Sequence, residues 1–206
     1  MRTILIDCGH GGIDPKSGKY ITAGKRAHHP GQIFHNDGWF YEGVFNRQIG
    51  RKVAKLLEAA GVPYMFVNHE HQDNSLVDRV NRANAHHRTT PSLYFSIHAN
   101  AANTRARGFE VFTSVSASKT SQHMATDIYE GVEGMTQYKL PMRKGGGDEK
   151  FKRQNFYVVR HTAMPAVLVE CGFFDNYEDA MLLNNCEFQT DMAAVFAKVL
   201  IEYAKK

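Results

Sequence analysis

Four residues stand where apolar runs give way to side chains that can do chemistry. The run Ile4-Leu-Ile leads through Asp7-Cys-Gly to His10-Gly-Gly, Leu93-Tyr-Phe-Ser-Ile ends at His98-Ala-Asn100, and Pro165-Ala-Val-Leu-Val runs into Glu170-Cys-Gly. The fourth, Glu42, opens a helical pattern. Two histidines and one carboxylate form the ligand set of a catalytic zinc site that keeps a position for water. A second carboxylate beside that water can serve as general base. Taken singly, each residue has a plainer role. A histidine at a strand end can simply pack or cap, and a glutamate in a first helical turn is favoured by the helix dipole. Glu170 fits a plain role least well, because five apolar residues lead directly into its charge. A buried carboxylate is costly unless a cation, a metal or a proton accompanies it.

The elements that must carry these residues alternate in period. A first strand spans Met1 to Asp7, followed by an irregular stretch from Gly9 to Phe40. Val44, Ile49, Val53, Ala54, Leu56 and Leu57 give a helical stripe that ends before Gly61. Strand patterns follow at Val62–Val67, Leu93–His98, Gly108–Phe112, Phe156–Val159 and Pro165–Glu170, the last reading as central. Helices are expected at Ser75–His87, Ser118–Val132, Tyr177–Leu183 and Phe188–Tyr203. Strands alternating with helices predict a single α/β domain over residues 1–206. Its sheet is expected to be largely parallel and twisted, with helices on both faces. Ligands of such sheets gather at the carboxyl ends of the strands, where the histidines and Glu170 fall.

The ordered motifs Asp7-x-Gly-His10-Gly-Gly, Glu42-x-x-x-Asn46, Asp78-Arg79-x-x-x-Ala-Asn84, Ser96-Ile-His98-Ala-Asn100, Gly108-x-Glu110 and Leu168-Val-Glu170-x-Gly-Phe173 carry a resemblance. From Thr3 to the last helix the chain resembles the zinc-dependent N-acetylmuramoyl-L-alanine amidases of the amidase-3 family, found in bacterial cell-wall hydrolases and phage endolysins. The resemblance implies one zinc ion per chain held by His10, Glu42 and His98, with Glu170 as the catalytic glutamate. The reaction it implies is hydrolysis of the amide between N-acetylmuramic acid and L-alanine of the stem peptide, with peptidoglycan as the partner. Alternatives within reach of the same residues are a zinc peptidase cutting inside the stem peptide and a non-catalytic wall-binding domain. Asn100 and Arg160 are candidate oxyanion donors. His35 and Asp37 would be the first replacements if Glu42 were not a ligand. The segment between His10 and Glu42 is longer than in compact family members, and Trp39 or Tyr41 within it could stack on substrate.

Composition removes other classes. The 206 residues are 43% hydrophobic and 22% charged, with a formal net charge of +4. That is an ordinary globular composition, which excludes disordered and fibrous chains. No apolar run approaches the ~18 residues of a membrane span. The positive residues are scattered, and the densest stretch, 142–153, is broken by Asp148 and Glu149, so nucleic-acid binding is not expected. Three cysteines, Cys8, Cys171 and Cys186, cannot build a disulfide framework. The first strand is too short to be a signal peptide. Without a leader or a separate wall-binding domain, the expected source is a phage endolysin that waits in the host cytoplasm for a membrane pore. A bacterial amidase without its leader, acting in the periplasm or outside the cell, is the alternative. Eleven histidines exceed what the site uses, and the remaining nine are expected at surfaces or in packing.

Overall fold

The computed structural model describes residues 1–35 and 37–206. A six-stranded sheet is built from β1 (Thr3–Cys8), β4 (Tyr64–Phe66), β5 (Ser92–Asn100), β6 (Glu110–Thr113), β7 (Lys152–Arg153) and β8 (Ala166–Phe173). Its spatial order is β4-β1-β5-β8-β6-β7. The four strands from β4 to β8 run parallel, whereas β6 lies antiparallel to β8 and carries β7 parallel to itself. A hairpin of β2 (Arg26–His28) and β3 (Trp39–Tyr41) stands apart from this sheet. The helices are α1 (Glu42–Ala59), α2 (Leu76–His87), α3 (Lys119–Glu133), α4 (Tyr157–His161), α5 (Tyr177–Asn184) and α6 (Cys186–Lys205). The expected α/β architecture with a mostly parallel sheet is therefore observed.

Strand alternation sends the apolar residues to two faces. Ile4, Ile6, Phe95, Ile97, Val167 and Val169 pack with residues of α1, α3 and α6 in one large core. Leu5, Tyr94, Ala166 and Leu168 face the opposite way, against Val80 and Ala83 of α2 and Val158 and Val159 of α4. This smaller core stops short of the carboxyl ends of the strands, where polar residues take over the same face.

Two local expectations are corrected. Phe156–Val159 reads as a strand because of its aromatic and β-branched residues, but Tyr157–His161 is a short helix. The place beside β6 is taken by Lys152–Arg153, and one helical turn lets Val158 and Val159 both reach the smaller core. The segment before Glu42 is not wholly irregular, since it contains the β2–β3 hairpin. No helix among the described residues is long and apolar enough to cross a membrane.

Candidate active site

Register places the first row of site residues. His98 on β5 lies opposite Glu170 on β8, and Glu170 lies opposite Glu110 on β6. Residues paired this way share one face of a sheet. His98, Glu170 and Glu110 therefore form a row above the smaller core. A register shift between His98 and Asn100 ends the regular pairing just beyond it.

Glu42 arrives from α1. Its helix has no side-chain cap, as Tyr41 occupies that position without capping. The exposed N–H groups of the first turn are instead met by the preceding segment. The Glu42 N–H donates to the Lys25 carbonyl at 3.1 Å, and the Gly43 N–H donates to the Tyr20 hydroxyl at 2.9 Å. Gly43 is required because a Cβ there would stand 1.9 Å from the Gly11 carbonyl oxygen. Asn46, one turn on, donates to the Gly9 carbonyl at 3.0 Å and ties the His10 loop to the helix.

His10 follows β1 with φ of +63°, a left-handed conformation uncommon for a residue with a side chain. Its neighbour Gly9 lies against the His98 ring, where a Cβ would come within 2.0 Å of Cε1. Behind the loop, the Gly11 N–H donates to Thr22 Oγ1 at 2.8 Å, and Thr22 donates to Asp73 at 2.7 Å. Asp73 pairs with Arg79 at 3.1 Å, and buried Arg79 also faces Asp7 at 3.5 Å. Ser96 completes the support by donating to Asp7 at 2.8 Å.

The three expected ligands converge. Ligand atoms of His10, Glu42 and His98 all lie within 4.8 Å of one another. Glu42 is 1% exposed, with Oε1 3.0 Å from His98 Nδ1 and Oε2 3.3 Å from His10 Nε2. Burial resists its charge, but the two imidazoles outweigh that and hold its carboxyl well below the usual range. For His98, burial works against protonation while Glu42 more than compensates, so its pKa rises. Glu170 behaves oppositely. Burial pushes it up to about 8, with Glu42 and Glu110 adding to the rise and His98 opposing it. One oxygen of Glu42 and one of Glu170 are buried without a hydrogen-bond partner. Two imidazoles, a carboxylate held as its anion and orphaned buried oxygens fit a divalent cation of the zinc type.

Other sequence candidates fall elsewhere. One of the two amide N–H donors of Asn100 is taken by Glu110 at 2.8 Å. Arg160 lies on α4 and lines a cavity of about 260 Å³ with Pro165 and Ala166, at the opposite end of β8 from Glu170. His35 accepts the Tyr41 N–H at 2.7 Å and packs on Phe40, so it takes no part in the cluster. Asp37, the other replacement considered, is not in the cluster either. Tyr41 is buried and stacked on Tyr20 at 4.4 Å, and Trp39 carries the Arg26 guanidinium 4.3 Å above its ring. Cys8 is pushed up to about 12 by burial, and Cys171 is raised well above its ordinary value for the same reason, so neither offers a thiolate.

Two features escaped the residue-type argument. Glu110 has a motif position but no role from sequence, and here it binds Asn100, Arg143 and Lys152. Lys25 carries no local sequence signal, yet its ammonium stands 3.8 Å from Glu42 Oε2.

Residues 4–202 match the amidase-3 family, described as N-acetylmuramoyl-L-alanine amidase. The chain belongs to this family. It is 28% identical to the N-acetylmuramoyl-L-alanine amidase LytC of Bacillus subtilis over 203 residues, covering 98% of this chain and 35% of LytC. It is 35% identical to the endolysin of Bacillus phage SPP1 over 127 residues, covering 62% of this chain and 44% of the endolysin. The matched stretch thus covers less than half the length of either relative. Among solved structures, the catalytic domain of the amidase CwlV from Bacillus (Paenibacillus) polymyxa superposes with a TM-score of 0.75 at 26% identity. That match covers 100% of this chain and 99% of the other. An enzyme of the N-acetylmuramoyl-L-alanine amidase class, as the motifs implied, is supported at the level of family, and with it a link to the cell wall.

Proposed function

We propose that residues 1–206 act as the catalytic domain of a zinc-dependent peptidoglycan hydrolase, cutting the amide between the lactyl group of N-acetylmuramic acid and L-alanine. The observation that carries this reading is the convergence of His10, Glu42 and His98 within 4.8 Å, with Glu170 in register beside His98. His10, Glu42 and His98 would hold one zinc ion per chain. When bound, zinc supplies a Lewis acid that activates water and polarises the scissile carbonyl.

The chain's own residues do the rest. Lys25 through its backbone, and Asn46 through Gly9, fix Glu42 relative to the His10 loop. Glu170 takes the proton of the attacking water on a carboxylate oxygen. It then delivers that proton to the alanine nitrogen as the C–N bond breaks. A raised proton affinity suits a group that must hold a proton between two steps.

Mass spectrometry of digested muropeptides tests the reading. Released peptides should begin with a free L-alanine amino group. A new terminus within the stem would identify a peptidase instead, and binding to walls with no new terminus would identify a non-catalytic module. Action as a phage endolysin, released from the host cytoplasm through a membrane pore, is supported by the likeness to the SPP1 endolysin. Expression inside a host should then cause lysis only with a co-expressed pore-forming protein. Lysis without the pore would contradict that role.

A further inference from the structure

The segment between His10 and Glu42 brings a cation to the site. Lys25 sits just before β2, in a turn closed by its N–H on the Thr22 carbonyl at 2.9 Å. Its own carbonyl receives the Glu42 N–H, so the backbone clamps it to the first turn of α1. From that anchor the ammonium reaches to 3.8 Å of Glu42 Oε2, beyond hydrogen-bond range. It makes no hydrogen bond among the described residues, and its side chain is 45% exposed. An ammonium has three donors, and although its charge is paired with Glu42, none of the three is in a hydrogen bond among the described residues.

The neighbouring cations are already engaged. Arg26 lies over Trp39, while Arg143 and Lys152 are bound to Glu110. Lys25 is thus a positive charge held by backbone at the edge of the cluster, with donors left for something that arrives. Its field also reaches Glu170, where it favours the ionised carboxyl.

We propose, on the basis of the amidase reading above, that Lys25 is a further catalytic residue that donates to the oxygen gaining negative charge as water adds to the scissile carbonyl. The water oxygen bonds to the carbonyl carbon, and the π electrons of C=O move onto that oxygen. The water proton passes to Glu170. Collapse re-forms C=O, breaks the C–N bond and sends the proton from Glu170 to the leaving nitrogen. Lys25 remains protonated throughout. A donor already in place where charge develops stabilises the transition state more than the ground state.

The test uses the full, metal-loaded chain with Lys25→Met, Lys25→Gln and Lys25→Arg. Three quantities are measured: kcat and KM on a soluble N-acetylmuramoyl peptide, affinity for a phosphinate analogue of the scissile amide, and metal per chain. The Met and Gln variants should lose about 100-fold in kcat with KM changed by no more than about threefold. Phosphinate affinity should fall with kcat, and metal content should be unchanged. The Arg variant, which keeps the charge, should retain kcat to within about tenfold. Unchanged kcat overturns the proposal. So does a raised KM at constant kcat, which would place Lys25 on a substrate anion, and so does loss of metal, which would make it a support of the ligands. If the Met variant fails to fold, the Gln and Arg variants decide by the same criteria. Failure of the wild type to release L-alanine-terminated peptides would instead defeat the amidase reading itself.

Discussion

Glu110 and Glu170 are direct neighbours across β6 and β8, on the same face of the same sheet, and their proton affinities are shifted in opposite directions. Burial alone would raise the pKa of Glu110, yet hydrogen bonds from Lys152 and Arg143 bring it below its ordinary value, helped by Asn100. Glu170 has no such partners. One of its oxygens is orphaned, and burial lifts it to about 8. Residue type and cross-strand register are shared, so burial and the neighbouring cations make the difference. A carboxylate whose partners all belong to the protein contributes to the fold, whereas one left without them keeps its oxygens for a proton or a substrate.

The sharpest way to break this comparison is to neutralise each carboxylate in turn. Glu170→Gln should lower the rate of amide hydrolysis by about 10³-fold or more. Its melting temperature should stay level or rise, because an unpartnered buried acid has been removed. Retention of activity would show that Glu170 is not the proton carrier. Glu110→Gln should do the reverse, leaving Arg143 and Lys152 without their shared anion. Both cations are partly exposed, so the loss should be about 1–2 kcal/mol in denaturant unfolding, with hydrolysis kept to within about tenfold. A larger loss of rate than of stability would move Glu110 into the reactive group.

A smaller effect separates unpartnered burial from reactivity. His35 Nε2 is also buried without a partner, but it lies in the packing of the β2–β3 segment rather than at the site. Burial lowers its pKa from 6.5 to about 4, against an opposing contact with the Gln48 side chain. Between those values the unfolded chain binds a proton that the folded chain refuses. Stability should therefore fall as the pH drops from about 6.5 toward 4, by up to one proton's worth of slope. His35→Asn should flatten that window in pH-dependent unfolding while leaving hydrolysis at neutral pH in place. An unchanged slope would show that His35 is not held neutral by burial.

Much of this arrangement is legible in the sequence, for a physical reason. Apolar runs that end abruptly in His98 or Glu170 mark strands whose carboxyl ends carry the candidate site, and most of the order of the larger strands and helices follows from period. Where long-range contacts decide, the pattern is silent. Glu110 is satisfied by Arg143 and Lys152, which are 33 and 42 residues away. The ammonium of Lys25 reaches Glu42 only because a chain turn and the helix start share a hydrogen bond. Phe156–Val159 misleads because two adjacent valines suit a strand, while the core they fill is reached by a helical turn. The histidine surplus finds part of its explanation in packing. His29 contacts the Phe174 carbonyl at 2.9 Å and so secures the long segment against the domain, while His35 receives the Tyr41 N–H within the segment itself.

The distinction between ligands and reactant is tested most directly by counting zinc per chain in the wild type, His98→Ala and Glu170→Gln. The account predicts about one, close to none and about one, respectively. Retention of zinc by His98→Ala, or its loss from Glu170→Gln, would contradict the division of labour between the converging triad and the carboxylate left free beside it.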